Sequence, residues 1–174
     1  LLDLERSSRG ADVVILVQES GNGCGLSYLM HSPSASFSAY AFGVVRRVCT
    51  TSFTHEIGHL LGGQHDRESA SSGGAHSYSH GWASPETGTR TTMAVNAPCS
   101  ARGTNCTRVP YWSDPAMQYS GHALGDDAAN NAQTLRATWA TAANFRAEVS
   151  KLEPVSDLKL VRRGKKIVVR WKQS

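Results

Sequence analysis

The sequence predicts a mixed α/β domain made of short strands, one helix carrying a histidine cluster, and one longer helix near residue 140. Three observations lead there. Apolar runs rich in β-branched or aromatic residues cover 12–18, 26–30 and 42–48, lengths that suit strands. Two other segments, 51–61 and 126–149, place apolar residues at helical spacing. The composition also shifts sharply near residue 150, which marks a boundary between residues 1–150 and a basic tail, 151–174.

The elements follow in order. Leu1 to Arg6 reads as the last turn of a helix stopped by Gly10. Asp12–Gln18 reads as a buried strand, and Gly21-Asn22-Gly23 as a turn. Leu26–Met30 and Phe42–Val48 read as two more strands, with a polar loop over 31–38 between them. In 51–61, Phe53, Ile57, Leu60 and Leu61 define the apolar face of a helix that Gly62-Gly63 would end. Residues 66–77 read as a surface loop, short extended pieces flank Pro85–Gly88, and 96–121 as irregular structure. Asp126–Val149 is expected to be the longest helix, capped by Asp126 or Asp127, with Ala128, Ala132, Leu135, Trp139, Ala142 or Ala143, Phe145 and Val149 on its buried face. Leu158 and Leu160, a turn at Arg162–Lys165, and Ile167, Val169 and Trp171 read as two strands of a basic β-rich module, with a loose tail as the alternative.

Composition limits the function classes. At 40% hydrophobic and 18% charged residues, the 174-residue chain suits a globular fold rather than a disordered one. No apolar run approaches the ~20 residues of a membrane span. The net charge of +4 invites an anionic partner, but its location argues otherwise. Residues 151–174 hold eight basic and two acidic groups, net +6, including all five lysines; the other 150 residues hold ten arginines and twelve acids, net −2. A nucleic-acid function is therefore not expected of the larger part. The first residue is Leu, so either an upstream signal and pro-segment have been removed or the chain is a fragment; the last residues follow a strand-like run at once, which suggests truncation there as well.

One constellation carries chemistry. His55-Glu56-Ile57-Gly58-His59-Leu60-Leu61-Gly62-Gly63-Gln64-His65 fits H-E-x-x-H-x-x-G-x-x-H in full. Residues four apart share a helix face, so His55 and His59 present two imidazoles to one point. Gly62 lets the chain leave the helix and return His65 as a third ligand. Three neutral histidines suit Zn2+ and leave one position open for water. Glu56 is then placed as general base for that water, which is the equipment for hydrolysing a peptide bond. A non-catalytic, zinc-stabilised adhesion or binding module is the alternative; a retained Glu56 speaks against it. His76 and His80, also four apart, sit in a Gly-rich loop and are expected at the surface, as are His31 and His122.

This string resembles that of the metzincin zinc metallopeptidases, in which the motif is followed by a methionine turn. Met93 stands 28 residues after His65, in Thr91-Thr92-Met93-Ala94, and the resemblance gives it the hydrophobic floor beneath the metal; Met30 and Met117 are expected in the core. Asp66, directly after the third histidine, resembles the reprolysin/adamalysin branch. The segments 78–93, Val109–Pro115, Asn131–Leu135 and Asn144–Arg146 look like bacterial secreted reprolysin-like peptidases of the peptidyl-Asp metalloendopeptidase type. The resemblance covers roughly residues 10–148 and implies a metzincin catalytic domain with twisted mixed sheet, zinc helix, Met-turn and C-terminal helix. It also implies missing N-terminal sheet elements, a secreted monomer, protein or peptide substrates, and a substrate-pairing edge supplied by the strand ahead of the zinc helix. Tyr111 and Trp112 fall where such enzymes wall the pocket for the residue after the scissile bond. Four cysteines allow three pairings; proximity and the resemblance favour Cys24–Cys49 and Cys99–Cys106.

Overall fold

The structure, a computed structural model, describes residues 2–148, 156–163 and 166–172. Contacts divide it into two units, 11–146 and a second one combining residues 1–10 with those after 146.

In the second unit, α1 spans Leu2–Ser8, in keeping with the short apolar turn and its Gly10 stop, where φ is +59°. The tail strands expected from alternation form as β11 (Ser156–Arg163) and β12 (Lys166–Lys172), paired antiparallel with Leu160 opposite Val169. Arg162 and Arg163 belong to β11 rather than to a turn. Gly164 and Lys165 of the expected turn lie outside the described residues, as does Val149.

The larger unit opens with β1 (Val14–Gln18), β2 (Gly25–Ser27), a 3-10 turn at Ala35–Tyr40 and β3 (Phe42–Arg46). They form one sheet in the order β1-β3-β2, with β1 parallel and β2 antiparallel to β3. Thus β2 is an edge. The sequence predicts β1 as buried, but Leu16 and Val17, whose side chains point to opposite faces of the strand, are each more than half exposed. The core beside the sheet gathers Met30, Ala41, Ala142 and Phe145, with Val13, Phe37 and Leu61 against it.

α2 spans Ser52–Leu60. Its packed face differs from the expected apolar one: His55, Glu56, Gly58, His59 and Leu60 are buried, while Phe53 is 50% exposed. Gly62, at φ +85°, ends it; a Cβ there would strike Ala75 and come within 3.0 Å of the Met30 carbonyl. The chain then enters β4 (Gln64–Asp66), followed by β5 (His80–Gly81), β6 (Ala83–Ser84) and β7 (Thr89–Arg90). Residues 96–121 hold more order than expected: α3 (Ala97–Ser100), β8 (Thr107–Arg108) and β9 (Asp114–Tyr119), the last pairing with β10 (His122–Leu124). Met117, on β9, is 41% exposed rather than in the core, whereas Met30 is fully buried.

The long helix is shorter than its pattern. α4 runs over Asn131–Ala142, capped by Asn130, whose side chain accepts the Gln133 N–H at 2.9 Å. Asp126 instead closes a turn onto the Ala128 N–H. The buried face is Asn131, Thr134, Thr138 and Ala142, and Trp139 is 60% exposed. Polar residues can occupy that face because each makes a hydrogen bond, with only Asn131 Oδ1 among these side chains left without a partner. Thr138 Oγ1 donates to the Leu61 carbonyl at 2.7 Å, Thr134 shares a hydrogen bond with Ser79, and Asn131 donates to the Gln64 carbonyl. α4 is thereby fastened to the segment that leads into His65.

Candidate metal centre

α2 and β4 bring the three motif histidines together. Nε2 of His55 and Nε2 of His59 each lie 3.1 Å from Nε2 of His65. The Nδ1–H of His55 donates to the Thr92 carbonyl at 2.9 Å, and that of His59 to the Gly63 carbonyl at 2.9 Å. Those bonds fix the tautomer, so both rings direct an Nε2 lone pair inward. Tetrahedral zinc with ~2.0–2.1 Å bonds sets its nitrogens about 3.3 Å apart. The spacing found here fits such a shell, and converging lone pairs need a cation between them. The three side chains can therefore hold a metal ion.

Their protonation agrees. Burial pushes the His55 imidazole down to about 3, with the hydrogen bond to Thr92 opposing and the neighbouring His59, His65 and Arg108 adding to the fall. Burial, then His65, takes His59 down to about 4. His65 is lowered as well, chiefly by burial, with Asp66 opposing. At neutral pH all three are unprotonated and ready to ligate.

Glu56 is buried beside them and does not join the triad. Its Oε2 accepts the Ser27 hydroxyl of β2 at 2.7 Å. Burial raises its pKa above the ordinary carboxylate value, and the Ser27 bond opposes that rise. A Cβ on Gly25 would land on this carboxylate, so the edge strand needs glycine there for Glu56 to fit. Neither Ser27 nor Gly25 carries a sequence signal; both reach the site through the pairing of β2 with β3.

Met93 is fully buried, and a Cβ on Gly58 would strike its sulfur and come within 2.9 Å of the Trp112 ring. The turn containing Met93 is tied to the histidine segment twice. Thr92 accepts from His55, and Asp66 Oδ2 accepts the Val95 N–H at 3.0 Å. Trp112 thus packs under α2, while Tyr111 is 39% exposed. Two disulfides join Cys24 to Cys49 and Cys99 to Cys106, the first linking the start of β2 to the turn before α2. His80, expected at the surface, is half-buried and donates Nδ1–H to the His65 carbonyl at 3.0 Å. His76 is also half-buried, stacked on Tyr78. His31 and His122 are exposed.

The chain is similar to known proteins. A family model described as metallo-peptidase family M12, of reprolysin type, matches residues 3–113. The chain is 39% identical over 148 residues to a peptidyl-Asp metalloendopeptidase of Stenotrophomonas maltophilia (strain K279a), covering 81% of this chain and 33% of that protein. It is 36% identical over 145 residues to the Xanthomonas campestris pv. campestris protein of the same name, covering 81% and 32%. With one from Pseudomonas fragi it shares 42% over 96 residues, or 55% and 58%. The chain thus spans about a third of the length of the first two relatives. A solved structure described as a chaperone–substrate complex shares the fold alone, with a TM-score of 0.59 at 19% identity over 84% of this chain and 22% of that one. Fold and site together define a metallopeptidase-type domain: the chain belongs to metallo-peptidase family M12.

Proposed function

We propose that residues 11–146 form the catalytic part of a secreted zinc metalloendopeptidase. The convergence of three neutral imidazoles beside a buried glutamate carries this reading. His55, His59 and His65 would hold the zinc ion. When bound, the ion acidifies a water molecule and polarises the scissile carbonyl. Glu56 acts as general base. Ser27 holds one carboxylate oxygen, leaving the other to take a proton from the attacking water and pass it to the departing amine. Its raised pKa makes it a better proton acceptor than an exposed glutamate. Met93, packed under Gly58, serves as the floor of the site, and Asp66 fixes the turn that holds it.

Substrate would add antiparallel to the free edge of β2, next to Glu56. The relatives' name, peptidyl-Asp metalloendopeptidase, supports a preference for aspartate at the cut. Two disulfides suit an oxidising, extracellular setting. Among the described residues no helix is long and apolar enough to cross a membrane. We take the chain as a monomer without a nucleic-acid partner, and residues 151–174 as part of a separate basic β-rich module.

Digestion of casein by the full-length protein, with and without a chelator, tests the reading. Cleavage abolished by chelator and restored by zinc is the expected result. Absence of any chelator-sensitive cleavage contradicts it.

A further inference from the structure

A cavity of ≈ 490 Å³ opens beside the metal centre, bordered by Gly25, Thr51, His55, Glu56, Arg90 and Arg108. The two arginines are direct partners across the parallel pair β7–β8. Both are half-buried. Arg90 donates from Nε to the Cys106 carbonyl at 3.1 Å and from Nη1 to the Ala94 carbonyl at 2.8 Å. Arg108 donates from Nη1 to Thr51 Oγ1 at 3.2 Å and from Nη2 to the Ala94 carbonyl at 3.3 Å; its buried Nε has no partner.

Their partners are neutral oxygens. Among the described residues, no carboxylate lies at ion-pair distance from Arg90 or Arg108. Like charges set opposite each other on neighbouring strands are destabilising. Burial lowers both pKa values, and Arg90 lowers that of Arg108 further, while Asp66 partly offsets the fall at Arg90. Holding the Ala94 carbonyl requires one arginine, not two. A part of the chain with net charge −2 therefore concentrates two positive charges, offset only in part by Asp66, against the proposed base, and such a rule-breaking pair is a mark of function.

The side of the cut also follows. Substrate lying antiparallel to β2 runs opposite to Gly25–Ser27, so its residues after the scissile bond pass Gly25 and Cys24. That end of β2 borders the cavity.

We propose that Arg108, assisted by Arg90, binds the side-chain carboxylate of the substrate residue directly after the scissile bond and so selects an acidic residue there. This rests on the peptidase reading above and assigns the specificity-determining residues within it. A planar guanidinium suits a carboxylate because it offers parallel N–H donors.

The test uses the zinc-loaded full-length protein and peptides identical except for Asp, Asn or Lys at that position. Wild type is expected to favour Asp over Asn by about 10–100-fold in kcat/KM, the range for a hydrogen bond to a charged group. Arg108→Gln should reduce that ratio to near unity, and Arg108→Lys should lower it less. Arg136→Gln, an exposed arginine of α4, should leave it unchanged. A wild type without Asp preference, or an Arg108→Gln variant that keeps it, overturns the proposal. If Arg108→Gln fails to fold, product-like peptides beginning with Asp or Asn are compared as inhibitors of wild type. Tighter inhibition by the Asp peptide supports the assignment, and equal inhibition overturns it. No chelator-sensitive cleavage of any peptide sinks the peptidase reading itself, whereas cleavage without Asp preference sinks the arginine assignment alone.

Discussion

Glu56 is held by a single hydroxyl from a strand 29 residues away in sequence. The Ser27 bond favours the ionised carboxylate, against the burial that raises its pKa. Ser27→Ala removes the opposing influence, so the Glu56 pKa should rise further. Since a general base works only when ionised, the acid limb of the kcat/KM profile should move to higher pH. An unmoved limb in Ser27→Ala would separate Ser27 from the base. His55, Glu56, His59 and His65 were legible because eleven consecutive residues contain them all. Ser27, Gly25, Arg90 and Arg108 were not, because each arrives from another strand and its type is common on any surface.

At the scale of elements, α2 and the Met93 turn behave as one assembly. Gly58 leaves no room between them, and its Cβ would meet Met93 and Trp112. Gly58→Ala should therefore destabilise by about 1–3 kcal/mol, the usual range for overpacking, and loosen metal binding; urea unfolding and zinc titration measure the two. α4 shows where pattern reading fails. Its Ala-rich sequence supports helix from 126 to 149, yet Asn130 caps the helix and Asp126 is spent on a turn. The expected apolar face included Trp139, but Thr134 and Thr138 turn inward because they satisfy Ser79 and the Leu61 carbonyl. Periodicity reports apolar spacing and is blind to a buried face made of hydrogen-bonded small polar residues. Asn130→Ala should cost about 1 kcal/mol, as loss of a cap does, readable as a shift in the urea midpoint.

For the whole molecule, the site makes stability depend on acid. The folded-state pKa values of His55 and His59 lie near 3 and 4, below the usual 6.5. Between those values the unfolded chain binds more protons, so stability rises with pH across that window. The contribution is fully present above about 6.5 and is lost as pH falls toward 4 and 3. His65 acts in the same sense, and Glu56, with its raised pKa, in the opposite one. The metal-free protein should melt at progressively lower temperature as pH falls from 6.5 to about 4, measured by calorimetry in chelator. Fold class and the division of charge were readable from composition and short apolar runs. The exposure of Leu16 and Val17 was not, since a run of apolar residues does not say whether another layer covers it.

In the proposed mechanism the histidines hold the metal and Glu56 performs the proton transfer. Glu56→Gln separates the two functions in one protein. Zinc content per chain, measured by mass spectrometry, should equal that of wild type, while peptide cleavage should fall by about 10²–10⁴-fold. Wild-type turnover in a zinc-loaded Glu56→Gln protein would rule this mechanism out.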